Sequence, residues 1–311
     1  MRAPAKINLQ LAVGPLRADG FHGLVTVFHA ISLFDQVTVA PAEADSVAVS
    51  GEGVAQVPAD GDNLALRAVR ALRAAIASGS GSAGSGRSPV ADGEPGVAVT
   101  IRKKIPVAAG LAGGSADAAA ALVACNELWQ ARLSQQELCE VASAVGSDVA
   151  FSVLGGTAVG RGRGERLTPA LVSSARYHWV LAYADGELST PAVYGALDRL
   201  RGGDPVPEPG LSAELMSALR AGDAPRLGRA LVNDLQAPAV SMFPALRKTL
   251  AAGSELGALG ALVSGSGPTC VFLARGATHA TDLAVALSGA GVCRSVTRAA
   301  GPASGATVIE R

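Results

Sequence analysis

The sequence has four cysteines, Cys125, Cys139, Cys270 and Cys293, and no CxxC pair among them. That scatter argues against a metal knuckle or a disulfide framework and fits reduced, buried thiols. No apolar run reaches the ~20 residues needed to cross a bilayer. An excess of one charge is missing too, because 26 Lys and Arg balance 26 Asp and Glu. Neither nucleic acid nor an anionic membrane is therefore indicated as a partner, and any anionic ligand must be held by local groups. The opening, MRAPAKINLQLAV, alternates polar and apolar residues and has no signal-peptide core. The expected location is the cytoplasm. Lysine is scarce beside arginine, which draws attention to each lysine.

Apolar residues make up 49% of the 311 positions, enough for a large core in two medium domains or one large one. In AKINLQLAV, Ile7, Leu9 and Leu11 point one way and Lys6, Asn8 and Gln10 the other, which predicts a strand with one buried face. A turn at Asp19-Gly20 precedes two strand-like segments. DNLALRAVRALRAAIA has helical spacing, with Asp62 or Asn63 as cap. Residues 78–96 are rich in glycine and serine and read as a mobile surface loop. Ser134 and Glu137 form a capping-box pattern for a helix over 135–145, and Gly146 is a natural stop.

HWVLAYA begins the second half as a strand, followed by helical segments near 192–200, 212–220, 225–235 and 243–252. GALVSGSGPTCVFLA reads as strand, glycine turn, strand, and the chain is expected to end on a strand at ATVIE. Helices and strands mix without regular βαβ alternation, which favours an α+β fold over a doubly wound sheet.

The stretch PVAAGLAGGSADAAAALVACNELW sets small, flexible residues directly before an alanine-rich helix. It lacks the Lys-Ser/Thr ending of a Walker loop and the spacing of a dinucleotide fingerprint. Two readings remain on the residues alone. One is a tight strand-to-helix turn. The other is a phosphate cradle, in which crowded backbone amides and the positive end of a helix starting near Ser115 hold an anion. Asp117, in the first helical turn, reads as a residue favoured by the helix dipole rather than a ligand.

IPVAAGLAGGSADAAAAL resembles the central motif of the GHMP kinases, relatives of galactokinase, homoserine kinase, mevalonate kinase and phosphomevalonate kinase. APAKINLQLAVGPLRADGFHGLVTVF is similar to the start of one branch, whose acceptor is 4-diphosphocytidyl-2-C-methyl-D-erythritol. GALVSGSGPTCVF is similar to the family's third motif, and GSDVAF to the segment of its catalytic aspartate. The four segments follow the family's order over nearly the whole chain.

The resemblance implies a two-domain GHMP kinase fold: an N-terminal nucleotide-binding domain over 1–175 and a C-terminal ferredoxin-like domain over 176–311. It implies ATP-dependent phosphorylation of the 2-hydroxyl of that acceptor, on the non-mevalonate route to isoprenoid precursors, with ATP and Mg2+ required. Asp148 would be the base and Lys6 would stabilise charge developing at the hydroxyl and the transferring phosphoryl group. Pro106, Ala108, Gly110, Leu111, Ala112, Gly113, Gly114, Ser115 and Ala116 would wrap the triphosphate, with Ser115 touching a phosphate oxygen or the magnesium ion. Asn63 and Lys103 match positions near the adenine site. Asn8, Phe21, His22, Thr190 and Tyr194 would line the acceptor pocket, with Phe21 stacking on cytosine, His22 reading its polar edge and Tyr194 closing over it. Gly265, Ser266 and Gly267 would approach the glycine cradle and close the site.

The chain departs from the family pattern at Ala109 and Ala112, where glycine is common, at Ala150, where proline is usual, and at Phe21, where tyrosine is usual. Two rival functions follow from the same residues: a GHMP kinase for homoserine or a mevalonate-like alcohol, and a nucleotide-binding regulator without catalysis. The first leaves Phe21, His22 and Tyr194 without a base to hold. The second leaves Lys6 and Asp148 without a task.

Overall fold

The computed structural model describes residues 1–79 and 96–309. Of the glycine- and serine-rich stretch expected to be a loop, residues 80–95 lie outside the described residues.

Two long strands, β1 (Arg2–Leu16) and β2 (His22–Pro41), form an antiparallel hairpin across the turn at Asp19-Gly20. The free edge of β2 is divided between two partners. Residues 36–41 pair with β4 (Val97–Lys103), which in turn pairs in parallel with β3 (Ser46–Gly51). Residues 24–29 pair with β5 (Thr157–Gly162), which carries β6 (Arg166–Pro169). Four helices accompany this sheet: α1 (Leu64–Ala77), α2 (Gly113–Leu128), α3 (Gln135–Val145) and α4 (Ser147–Leu154). Ser134 and Glu137 close the expected capping box on α3. Helix α2 is the central one. Ala116 and the run Ala118 to Ala121 are fully buried, because a helix that is apolar all round must be covered on every side.

The second sheet takes β7 (Tyr177–Tyr183), β9 (Gly260–Val263), β10 (Cys270–Ala274) and β11 (Ser295–Gly301) in the spatial order β11-β7-β10-β9, antiparallel throughout. Helices α9 (Ala245–Glu255) and α10 (Ala277–Gly289) pack against it. This is a βαββαβ arrangement of the ferredoxin-like kind. Between β7 and α9 the chain inserts α5 (Thr190–Arg201), α6 (Ala213–Ala221), α7 (Ala224–Ala230), the short β8 (Val232–Asn233) and α8 (Gln236–Met242). The helix expected over 225–235 is thus shorter, because residues 232–233 instead pair in parallel with β1 at Gln10 and Leu11.

One hydrophobic cluster joins the two sheets, running from Ile7 and Leu9 through Leu122 to Trp179, Leu181, Val271 and Leu273. Packing from both sides changes the reading of β1. Lys6, Asn8 and Gln10, expected on a solvated face, are all buried. Among the described residues of ATVIE, 306–309, the expected final strand is absent: Thr307 makes only an isolated bridge to Arg2, residues 308–309 are not in a strand, and Glu310 lies outside the described residues.

Candidate active site

Three elements converge on the N-terminal end of α2. The first is the loop from Pro106 to Ala112, which leaves β4 and enters the helix. Ala108 and Ala112 both adopt left-handed backbone angles, φ 50° and 59°, a conformation that costs a non-glycine residue roughly 1–2 kcal/mol. At Ala112, where glycine is common in the family, alanine therefore takes the left-handed shape that the loop requires. Ala112 is the N-cap of α2 and supplies no side-chain acceptor. The first-turn amides thus keep their donors for a ligand, at the positive end of a helix whose middle turns are buried.

The second element is the turn after β9. Ser264 donates its hydroxyl to the carbonyl oxygen of Gly110 at 3.0 Å. The approach is so close that a Cβ on Gly110, whose φ is 75°, would stand 2.1 Å from the Ser264 carbonyl oxygen. A Cβ on Gly265 would stand 3.4 Å from Lys6 Nζ. Asn233, on β8, fixes this turn by donating to the carbonyl oxygens of Val263 and Gly265 at 2.8 and 2.7 Å. Thr190 and Ser266 share a hydrogen bond of 2.8 Å between their hydroxyls.

The third element is β1. The Lys6 backbone N–H donates to Leu111 O at 3.1 Å, which ties the strand to the loop. Its ammonium donates to Asn8 Oδ1 at 2.8 Å and stands 3.8 Å from Asp148 Oδ2. Asn8 is oriented in turn, since its amide donates to Thr26 Oγ1 at 2.8 Å and Thr26 donates to Gln10 O at 2.8 Å. Asp148 sits in the first turn of α4 with a side chain 34% exposed, whereas that of Lys6 is 7% exposed. The pair is a buried cation with a carboxylate facing open space.

That space is a cavity of about 470 Å³. Its walls include Lys6, Asn8, Asp148, Pro106, Ala108, Gly110, Ala112 to Ser115, Thr190, Tyr194, Gly265 and Ser266. A second cavity of about 700 Å³ adjoins it, walled by Phe21, His22, Thr190, Tyr194 and Asp198 among others. His22 Nε2 lies 2.8 Å from Asp198 Oδ1, and the His22 and Tyr194 rings stack at 5.3 Å between centroids. Burial, with the Asp148 charge adding to it, pushes the Tyr194 hydroxyl up to about 12, so it stays protonated at neutral pH. Phe21 is 51% exposed and lies beneath the Arg163 guanidinium, 4.7 Å from ring centroid to Cζ.

Five expected site residues stand elsewhere. Asn63 caps α1: its Oδ1 accepts from Ala65 N at 2.9 Å and its amide donates to Pro58 O. Lys103 lies beneath the loop rather than in the cleft, donating to Asp35 Oδ2 and Asp117 Oδ2 at 2.6 Å each. Burial works against the Lys103 ammonium, but the two carboxylates override it and raise its pKa. Burial also raises Asp117, against the pull of Lys103. Asp117 is accordingly an internal ion-pair member, not a surface residue favoured by the dipole. Leu111 and Ala116 are fully buried, and they shape the loop from behind. Gly267 closes the tight turn by donating to Ser264 O at 2.9 Å and faces Val263 and Leu188.

Thr26, Asn233 and Arg163 were not anticipated. Thr26 and Asn233 act through partners distant in sequence and leave no local trace. The alternation GRGRGE around Arg163 is a turn signal that could have been noticed.

Phosphoryl transfer needs donors for phosphate oxygens, a cation and a carboxylate held close together, and the uncapped N-terminus of α2, Lys6 and Asp148 bring these around one cavity. The chain belongs to the GHMP kinases: the family's N-terminal domain model matches residues 63–156 and its C-terminal model residues 215–293. It is 53% identical over 311 residues to 4-diphosphocytidyl-2-C-methyl-D-erythritol kinase of Nocardia farcinica, covering 100% of this chain and 96% of the relative. It is 52% identical to the enzyme of that name from Thermobifida fusca, covering 99% and 97%. A crystal structure of 4-(cytidine 5'-diphospho)-2C-methyl-D-erythritol kinase superposes with a TM-score of 0.71 at 33% identity, covering 96% of this chain and 98% of the other. Among the described residues, no helix is long and apolar enough to cross a membrane.

Proposed function

We propose that the chain transfers the γ-phosphoryl group of ATP to the 2-hydroxyl of 4-diphosphocytidyl-2-C-methyl-D-erythritol, releasing ADP. The carrying observation is the continuity of two cavities. One holds the Lys6–Asp148 pair beside the loop amides, and the next offers the His22 and Tyr194 rings. Full-length identity to enzymes of that name supports the same reading.

The chemistry follows from the geometry. The triphosphate lies along the first-turn amides of α2, with Gly265 and Ser266 above it. The acceptor hydroxyl sits at Asp148, whose carboxylate takes the proton as the oxygen bonds to phosphorus and the bond to the β-phosphate oxygen breaks. Lys6, held by Asn8, stabilises the charge on the transferring group. Of the acceptor pocket, His22 meets the cytosine edge, Tyr194 covers its face, and Phe21 flanks it while remaining partly exposed.

Among the described residues, no group of three or more His, Cys, Asp or Glu could hold a metal ion. The cleft instead offers one carboxylate, Asp148, and the Ser115 hydroxyl. That sparse set suits Mg2+, which keeps most of its waters and binds chiefly through nucleotide phosphates. Bound there, the ion would neutralise charge on the β- and γ-phosphates.

The test is an acceptor panel. Purified protein is given ATP, Mg2+ and, separately, the cytidyl substrate, homoserine or mevalonate, and ADP release is followed. Fast turnover with the cytidyl substrate alone is expected. Faster turnover with either of the others, or ATP binding without turnover, contradicts the proposal.

A further inference from the structure

Six residues line both cavities: Leu24, Gly146, Ser147, Arg163, Thr190 and Tyr194. Arg163 is the only charged one. It is also the only Lys or Arg in the wall of the second cavity, where Glu165 and Asp198 are carboxylates. We propose that Arg163 grips the diphosphate of the acceptor and thereby selects a diphosphate-bearing substrate over a bare nucleoside or alcohol. The proposal rests on the function given above.

An acceptor of that kind has its base at one end, its reacting hydroxyl at the other and its diphosphate between them. With the base at His22 and Tyr194 and the hydroxyl at Asp148, the diphosphate falls on the seam between the cavities. The one other Lys or Arg in either wall is Lys6, which already faces Asp148 at 3.8 Å, so without Arg163 the diphosphate would meet Glu165 and Asp198 uncompensated. The chain as a whole supplies no compensating field, because its formal net charge is zero.

Arg163 is free to serve. Its guanidinium makes no ion pair among the described residues and rests on the Phe21 ring at 4.7 Å. Glu165, the nearest carboxylate in sequence, is occupied in accepting the Arg163 main-chain N–H at 2.6 Å. Asp19, which feels the Arg163 charge, is already paired with Arg17 at 2.6 Å. The turn also lies beside the chemistry. A Cβ on Gly164 would stand 3.5 Å from Phe28 and 3.6 Å from Ser147, the residue before Asp148. A planar guanidinium can meet two phosphate oxygens through two parallel N–H bonds, a geometry that an ammonium does not offer.

The experiment compares the full chain with Arg163→Met and Arg163→Lys. Calorimetry measures CDP and cytidine binding with the nucleotide site saturated by a non-hydrolysable ATP analogue, and steady-state kinetics follow the cytidyl substrate. Losing a charge-assisted contact should weaken CDP binding by about 10- to 100-fold in Arg163→Met and cytidine binding by less than about threefold. The acceptor KM should rise in step with CDP, kcat should change far less, and Arg163→Lys should recover part of the loss. Equal losses for CDP and cytidine, no loss, or a rise confined to the KM for ATP would each overturn the proposal. Should the unmodified protein bind neither CDP nor cytidine, the functional reading itself is wrong and this inference goes with it.

Discussion

Lys6 and Lys103 are both buried, and their partners give them opposite tasks. Lys103 is sealed between Asp35 and Asp117, and Asp35 also accepts from the Lys104 and Ile105 main-chain N–H groups. Every ligand of this ammonium is thus internal, and the triad sets the floor of the phosphate loop. Lys6 has a neutral amide on one side and a carboxylate at the cavity wall on the other. The resemblance put Lys6 at the reacting centre and Lys103 near the adenine site; nothing local marked Lys103 as internal, because its partners lie 68 and 14 residues away. Lys103→Met should leave two carboxylates buried around an apolar side chain and destabilise the fold by about 3–5 kcal/mol. Urea denaturation measures this; a midpoint unchanged from the parent would remove the triad from the account.

At the scale of elements, the cradle is two loops that touch. The motif between β4 and α2 left a tight turn and a phosphate cradle both open on its residues alone, and the resemblance to the GHMP kinases favoured the cradle. That Gly110 and Ser264 meet was only suggested by the resemblance, since 154 residues separate them. The burial of Lys6, Asn8 and Gln10 was not legible, because alternation reports the two faces of a strand and not whether both are covered. The segment ATVIE misled for a related reason: β-branched residues favour strands only where a partner edge is available. Gly110→Ala is the sharpest test of the element. Its Cβ would collide with the Ser264 carbonyl at a left-handed φ of 75°, so the loops must part. The KM for ATP should rise and kcat fall together, with stability reduced by about 1–3 kcal/mol. Parental kinetics in this variant would mean that the contact does not shape the cradle.

The whole molecule depends on one sheet packing on the other. His29, on β2, lies fully buried between them. Its Nδ1 is 2.8 Å from Thr157 Oγ1, and its ring meets Tyr177 and Trp179 of β7 edge-on. No local pattern distinguishes it from His178 or His279, because the burial comes from a sheet formed by the other half of the chain. Burial lowers the His29 pKa from 6.5 to about 3. The neutral ring is the form the fold accepts, so its contribution is complete above pH 6.5 and is lost as pH falls towards 3. The loss should approach about 1.4 kcal/mol per pH unit within that window. Melting temperatures measured from pH 7 to pH 5 should fall more steeply in the parent than in His29→Gln. Parallel slopes would show that the sheets do not exclude water from this ring.

The most direct measurement on the chemical centre is a single-turnover assay of Asp148→Asn with ATP, Mg2+ and the cytidyl substrate, run beside ATP binding. A neutral amide cannot accept the hydroxyl proton, so phosphoryl transfer should slow by about 10²- to 10⁴-fold while ATP binding stays within a few-fold of the parent. Transfer at close to the parental rate would contradict the assignment of the Lys6–Asp148 pair as the reacting centre.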